Sequence, residues 1–159
     1  MEKLIVDLRD NPGGVLSSVC DVLRQILPEG LIVYTEDKYG EKQEMKCDGD
    51  TPIDIPLAVL VNENSASASE ILAGALQDTG AATLVGTKSY GKGSVQTVVP
   101  LFHEDGIKLT IAKYYTPNGR CIDGIGIDPD VEVQRNDSDT TDVQLEKAQE
   151  VLQEKVDNN

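Results

Sequence analysis

Three serines, a lysine and a glutamine carry the chemical interest of this 159-residue chain. Ser65, Ser67 and Ser69 alternate with alanines shortly after the apolar run Ile55-Pro56-Leu57-Ala58-Val59-Leu60-Val61. Ile71, Leu72, Ala75 and Leu76 then recur at helical spacing, so the pattern predicts a buried strand turning into a helix within a few residues. A serine at such a turn lies beside free N-terminal N–H groups, which together with the helix dipole favour developing negative charge. That setting suits acyl transfer, provided a neighbouring base takes the hydroxyl proton. Downstream, Lys92 opens the segment KGSVQTVVP, which reads as a strand because Val95, Val98 and Val99 are β-branched. Lys92, Ser94 and Gln96 lie two apart and would project from one strand face.

Each of these residues also has a plainer use. Ser67 and Glu70 fit the capping box S-x-x-E, a local device for starting helices. Ser65 fits a cap equally well, which would leave Ser67 in the first turn with its hydroxyl free. Lys92 and Gln96, taken alone, read as solvated side chains. The single histidine, His103, sits in the acidic turn Phe102-His103-Glu104-Asp105-Gly106, remote from the serines, which counts against a Ser-His-Asp triad. Gly86-Thr87-Lys88-Ser89-Tyr90-Gly91-Lys92 reproduces most of the phosphate-loop pattern, but Gly93 stands where a hydroxyl is needed and a strand follows instead of a helix. Both departures count against nucleotide binding.

The elements that must position these groups are legible along the chain. Leu4 to Leu8 reads as a strand, followed by Asp10-Asn11-Pro12-Gly13-Gly14 and a helical pattern from Val15 to Leu27. Pro12 and the two glycines set a tight turn that lets backbone approach something closely. Leu31 to Lys46 reads as a hairpin around Lys38-Tyr39-Gly40-Glu41, and Cys47 to Asp54 as a surface loop. Leu84-Val85-Gly86 ends a strand, and Ile107 to Tyr115 alternates as a half-buried strand should. Thr116-Pro117-Asn118-Gly119 is a turn. Residues 1–135 are expected to form the folded core, and residues 136–159 an acidic linker and a C-terminal helix.

The segments DLRDNPGG, NSASASEILAGALQD, GTKSYGKGSVQ and YYTPNGRCIDGIGIDPD, in this order and spacing, resemble the catalytic domain of the C-terminal processing peptidases, or tail-specific proteases. The similarity runs from about Leu4 to Val133. It implies a crotonase-like α/β fold with mixed sheets and packed helices, and serine endopeptidase action on proteins near their C-termini. It implies Ser67 as nucleophile, Lys92 as general base and Gln96 as the residue holding the lysine. Gly13 or Gly14, with the Ala68 N–H, would form the oxyanion hole, and Asp78 would be structural support. A free lysine, with a pKa of about 10.4, is protonated and useless as a base. Burial lowers that value by up to about 3–5 units, so the assignment requires a buried Lys92. A Gln96 carbonyl oxygen then fixes the amine without stabilising its charge as a carboxylate would. No cofactor or metal is implied.

Composition bounds the rest. The length suits one domain with a sizeable core. A formal net charge of −14 argues against nucleic acid and anionic membrane surfaces as partners. Cys20, Cys47 and Cys121 lack metal-ligand spacing and read as free thiols. No run reaches transmembrane length and no export signal opens the chain. The resembled family carries such a signal or anchor and a PDZ peptide-binding domain. The sequence is therefore expected to be the peptidase core of a longer extracytoplasmic protein, periplasmic or cell-surface and membrane-associated. Its partners would be protein or peptide substrates, with monomer and homo-oligomer both open. The alternative is a catalytically weak or inactive peptide-binding core that needs the PDZ domain.

Overall fold

The computed structural model describes residues 1–50, 52–136 and 138–157. Two four-stranded sheets sandwich a pair of helices, and a third helix covers the outer face of one sheet. The first sheet is parallel, with β1 (Leu4–Asp7), β4 (Leu57–Val61), β5 (Thr83–Gly86) and β8 (Val131–Glu132) side by side in that order. The second is antiparallel, in the order β3 (Lys42–Cys47), β2 (Gly30–Asp37), β7 (Gly106–Tyr115) and β6 (Ser94–Pro100). The helices are α1 (Leu16–Arg24), α2 (Ala68–Asp78) and α3 (Val143–Asp157). This is the mixed α/β class expected from the sequence.

The strand β4 shows why the layers form. All five of its residues are buried, as a parallel strand covered on both faces requires. Leu57, Val59 and Val61 join the cluster of α1, α2 and β2, while Ala58 and Leu60 join Val85 and the α3 residues Ala148 and Leu152. The period of two thus splits one strand between two cores. Helix α2 is buried from Ala68 to Leu76, which its run of Ala, Gly and Ser permits by allowing close approach. Leu76 and Leu23 are fully enclosed, and each such side chain contributes about 1.5–3 kcal/mol through burial.

Segment 136–159, expected as linker and helix, contributes more than an appendage. Arg9 grips the start of α3 by donating two hydrogen bonds to Asp142, both at 2.8 Å, and one to Gln144 at 3.1 Å. It also donates to both oxygens of Asp7, at 3.0 and 2.7 Å. The paired carboxylates hold the Arg9 guanidinium pKa above its ordinary value. Asn158 and Asn159 lie outside the described residues.

Candidate active site

The parallel arrangement delivers the chemistry-bearing segments to one edge. β1 runs into DLRDNPGG, β4 into NENSASAS and β5 into GTKSYGKG, so all three loops leave the carboxyl ends of the sheet, where open α/β sheets place their ligands.

The three serines are not equivalent. Ser65 is fully buried, its hydroxyl donating to the Leu8 carbonyl at 2.8 Å and accepting from the Asn62 N–H at 3.0 Å. The Ser69 hydroxyl donates to the Asn11 carbonyl at 3.0 Å. Both therefore stitch the serine turn to the loop after β1, as does the Ala66 N–H, which donates to the Asn11 carbonyl at 3.0 Å. Ser67 alone is partly exposed. Its backbone is strained, with φ 57° and ψ −116°, a combination that a non-glycine residue adopts only where its surroundings force it. The turn resembles a nucleophile elbow, which lifts the serine hydroxyl off the end of a strand.

Gly13 explains how the loop after β1 meets that elbow. Its φ is +99°, and a Cβ there would lie 2.5 Å from the Ala66 carbonyl and 2.9 Å from the Ser67 Cβ. Only glycine permits this approach. Nothing crowds Gly14. The Gly13 N–H donates to the Asn11 Oδ1 at 2.9 Å, whereas the N–H groups of Gly14 and Ala68 have no acceptor among the described residues. Asp10 ties the same loop to the next by accepting from the side chains of Asn62 and Asn64, at 3.0 and 2.8 Å, and those bonds lower its pKa.

The capping box is real, and it extends beyond the helix. Glu70 is fully buried. Its Oε2 accepts the Ser67 N–H at 2.9 Å and the Lys92 N–H at 2.8 Å, and its Oε1 accepts the Ser89 hydroxyl and the Gly91 N–H, both at 2.6 Å. Four donors to one carboxylate are what a buried charge requires. The glycine-rich loop after β5 thus binds an anion, as its phosphate-loop pattern suggests, but the anion is the protein's own side chain. One oxygen joins the main chains of Ser67 and Lys92. The sequence announced the S-x-x-E spacing but not this second partner. The Arg9 grip and the Asp10 bonds were missed as well, because each spans more than fifty residues of chain.

The Lys92 and Gln96 side chains depart from expectation. Lys92 is exposed, so the burial on which its role as a base depends is not present. Its ammonium has no hydrogen bond or ion pair among the described residues. It precedes β6, and the loop turns its side chain to solvent while its amide faces Glu70. Gln96 is also exposed, and its Nε2 donates to the Thr110 Oγ1 at 3.4 Å instead of holding the lysine. Asp78 supports the TPNG turn, accepting the Asn118 N–H at 2.8 Å and pairing with Arg120. His103 sits in a 3₁₀ turn beyond β6, at the far end of the β6–β7 ribbon from Lys92.

A small apolar cavity of about 210 Å³ adjoins the elbow, lined by Gly13, Gly14, Val15, Val19, Ala68 and Leu72 among others. A larger polar cavity of about 710 Å³, with Asp7, Arg9, Glu63, Arg135 and Asp139 in its walls, contains neither Ser67 nor Lys92. Of its charged groups among the described residues, only Arg9 and Asp7 form an ion pair with each other, at 2.7 Å, and the smaller recess, walled by Gly13, Gly14 and Ala68, is the one beside the serine turn. Among the described residues, no cluster could hold a metal ion and no helix is long and apolar enough to cross a membrane.

A strained, partly exposed serine at the carboxyl edge of a parallel sheet, backed by a buried helix N-terminus, is an arrangement that suits acyl transfer. The family model described as Peptidase family S41 matches residues 1–133, and the chain belongs to that family. The Carboxyl-terminal-processing protease of Synechocystis sp. is 50% identical over 131 residues, covering 82% of this chain and 31% of that protein. Carboxyl-terminal-processing peptidase 3, chloroplastic, of Arabidopsis thaliana is 44% identical, covering 83% and 26% respectively. The solved photosystem II D1 C-terminal processing protease superposes with a TM-score of 0.81 at 38% identity, over 96% of this chain and 39% of that one. The chain therefore spans about a third of the length of these relatives.

Proposed function

We propose that this domain is the catalytic core of a serine endopeptidase that cleaves polypeptides near their C-termini through an acyl-enzyme. The observation that carries the reading is the contrast among the three serines: Ser65 and Ser69 spend their hydroxyls on carbonyls, while Ser67 is left partly exposed on a strained turn. Lys92 accepts the Ser67 proton as Oγ attacks the scissile carbonyl carbon. The C–N bond then breaks, the leaving amine takes that proton, and water releases the acyl group from Ser67. The Ala68 N–H and an N–H of the Gly13–Gly14 pair, of which Gly14's is uncommitted, stabilise the oxyanion. The apolar recess beside them receives a substrate side chain.

The lysine must be neutral to act. Lys92 is exposed, so this reading requires the substrate, or another part of a longer protein such as a PDZ domain, to bury it. The same exposure favours a second reading, in which the core alone binds peptide and turns over weakly or not at all. In a longer protein of this kind an extracytoplasmic setting is consistent with both.

Incubation with an unstructured protein decides between them. Ser67→Ala abolishes proteolysis, while Ser65→Ala and Ser69→Ala retain it, and a serine-directed acylating agent maps to Ser67 by mass spectrometry. An essential Ser65 or Ser69 with a dispensable Ser67 would overturn the nucleophile assignment.

A further inference from the structure

We propose that the outer edge of β6 is the docking strand for the substrate chain, which adds to the antiparallel sheet as an extended, largely apolar segment. This rests on the peptidase reading above. Among the described residues β6 is the terminal strand of its sheet and pairs only with β7.

The two ends of that sheet are built differently. β3, at the other edge, places charges at Lys42, Glu44 and Lys46, with ion pairs from Lys42 to Glu36 at 3.3 Å and from Lys46 to Glu44 at 2.8 Å. Such charges are how natural proteins guard an open edge against unwanted pairing. β6, Ser-Val-Gln-Thr-Val-Val-Pro, has no charge at all, and only Pro100 closes its end. An edge left unguarded in a chain of net charge −14 suits a partner that pairs there.

Alternation fixes which groups are on offer. The Gly93 carbonyl accepts the Tyr114 N–H at 2.7 Å, and the Leu101 N–H donates to the Asp105 carbonyl at 2.8 Å. Both ends of β6 therefore turn their odd-numbered residues inward. The N–H and C=O groups of Ser94, Gln96 and Val98 face away from β7. They offer a ladder to an incoming strand that begins two residues after Lys92, so a chain paired there is delivered to the site. Val98 is 64% exposed and Phe102, at the ribbon tip, 88%, which gives the added strand apolar neighbours. Lys88 and Lys113 pair with Asp128 and Asp123. Lys92 precedes β6, and Lys108 lies opposite Val98 on β7; neither has an acidic partner among the described residues. The partner this chemistry recognises is an unfolded, largely apolar polypeptide, bound through its main chain.

Val98→Pro tests the proposal. Proline is tolerated where an edge N–H faces solvent, yet it removes that donor and blocks an added strand. The KM for casein should rise about tenfold, the scale of one or two lost main-chain hydrogen bonds. The kcat and the acylation of Ser67 by a small reagent should stay unchanged, because neither depends on pairing along β6. An unchanged KM in a folded Val98→Pro variant overturns the proposal. Independently, casein added to the Ser67→Ala variant should slow amide exchange at Ser94, Gln96 and Val98; no added protection there overturns it too. Failure of the reagent to modify Ser67 would instead count against the peptidase reading, and the exchange measurement would still decide the docking.

Discussion

The two halves of the candidate site are held in opposite ways. Ser67 stands on a strained turn, backed by a buried helix, with its amide bound to Glu70 and its neighbours stitched to the loop after β1. Lys92 shares Glu70 through its own amide, but its side chain is exposed and, among the described residues, unpaired. The proposed nucleophile is thus positioned by the fold, whereas only the backbone of the proposed base is. The difference shows where stability and reactivity are separated. A strained φ persists only in surroundings that over-determine it. A lysine buried permanently would cost stability in every molecule, and one buried on substrate arrival costs it only during turnover.

The largest effect should come from the loosely held half. Lys92→Arg keeps the charge but cannot deprotonate, so turnover should fall about 10²–10⁴-fold, the usual span of general-base catalysis. The melting temperature should hardly move, because no side-chain contact of Lys92 is lost among the described residues. Gln96→Ala should be milder, since the side chain it removes contacts Thr110 and not the amine. Near wild-type turnover of Lys92→Arg in a protein whose Ser67→Ala variant is dead would end the dyad and leave the lysine as a binding charge.

Glu70→Gln attacks what the halves share. A side-chain amide presents one oxygen and one NH₂ group to four donors, so at least one buried donor loses its acceptor. Each such loss costs about 1–3 kcal/mol, or about 2–4 °C per kcal/mol in a domain of this size. Unlike Lys92→Arg, this variant should lose melting temperature and turnover together, as calorimetry and casein hydrolysis would record. Loss of turnover at an unchanged melting temperature would mean that Glu70 does chemistry and not only positioning.

The same contrast explains what the sequence discloses. β4 was legible because five apolar residues in a row fit a strand buried on both faces. The hairpin of β2 and β3 followed from its turn residues, and the α2 start from the S-x-x-E spacing. These are local signals. The two functions of Glu70 depend on residues 89–92 folding onto α2, and the exposure of Lys92 depends on which way a glycine loop turns. Neither is encoded within a window of the chain. The place of α3 was hidden for a related reason. Its buried positions, Ala148 and Leu152, with the partly buried Leu145, pack on Ala58 and Leu60 of β4 and Val85 of β5, a surface assembled from strands far away in the sequence.

The smallest effect should come from the contact furthest from both halves, between Arg9 and Asp142. Hydrogen bonding from Arg9, with the Leu145 N–H, lowers the Asp142 pKa to about 2 from 3.8. A carboxylate whose folded pKa lies below its unfolded value adds stability above the unfolded pKa and loses it as pH falls through the folded one. The wild type should therefore outlast Asp142→Asn by a few degrees at neutral pH, with the gap closing between about pH 4 and pH 2. Taking the difference between the two proteins removes the other acidic groups, whose protonation relieves self-repulsion in a chain this negative. Turnover at neutral pH should be close to wild type, because Leu8 and Asn11 hold their loop to the serine turn through main-chain carbonyls that do not involve α3. A gap that persisted at pH 2 would assign the effect of Asp142 to helix capping, which Asn performs as well, and not to the ion pair. A collapse of turnover with no change in melting temperature would mean that α3 sets the geometry of the loop after β1, and with it that of Gly13 against Ser67.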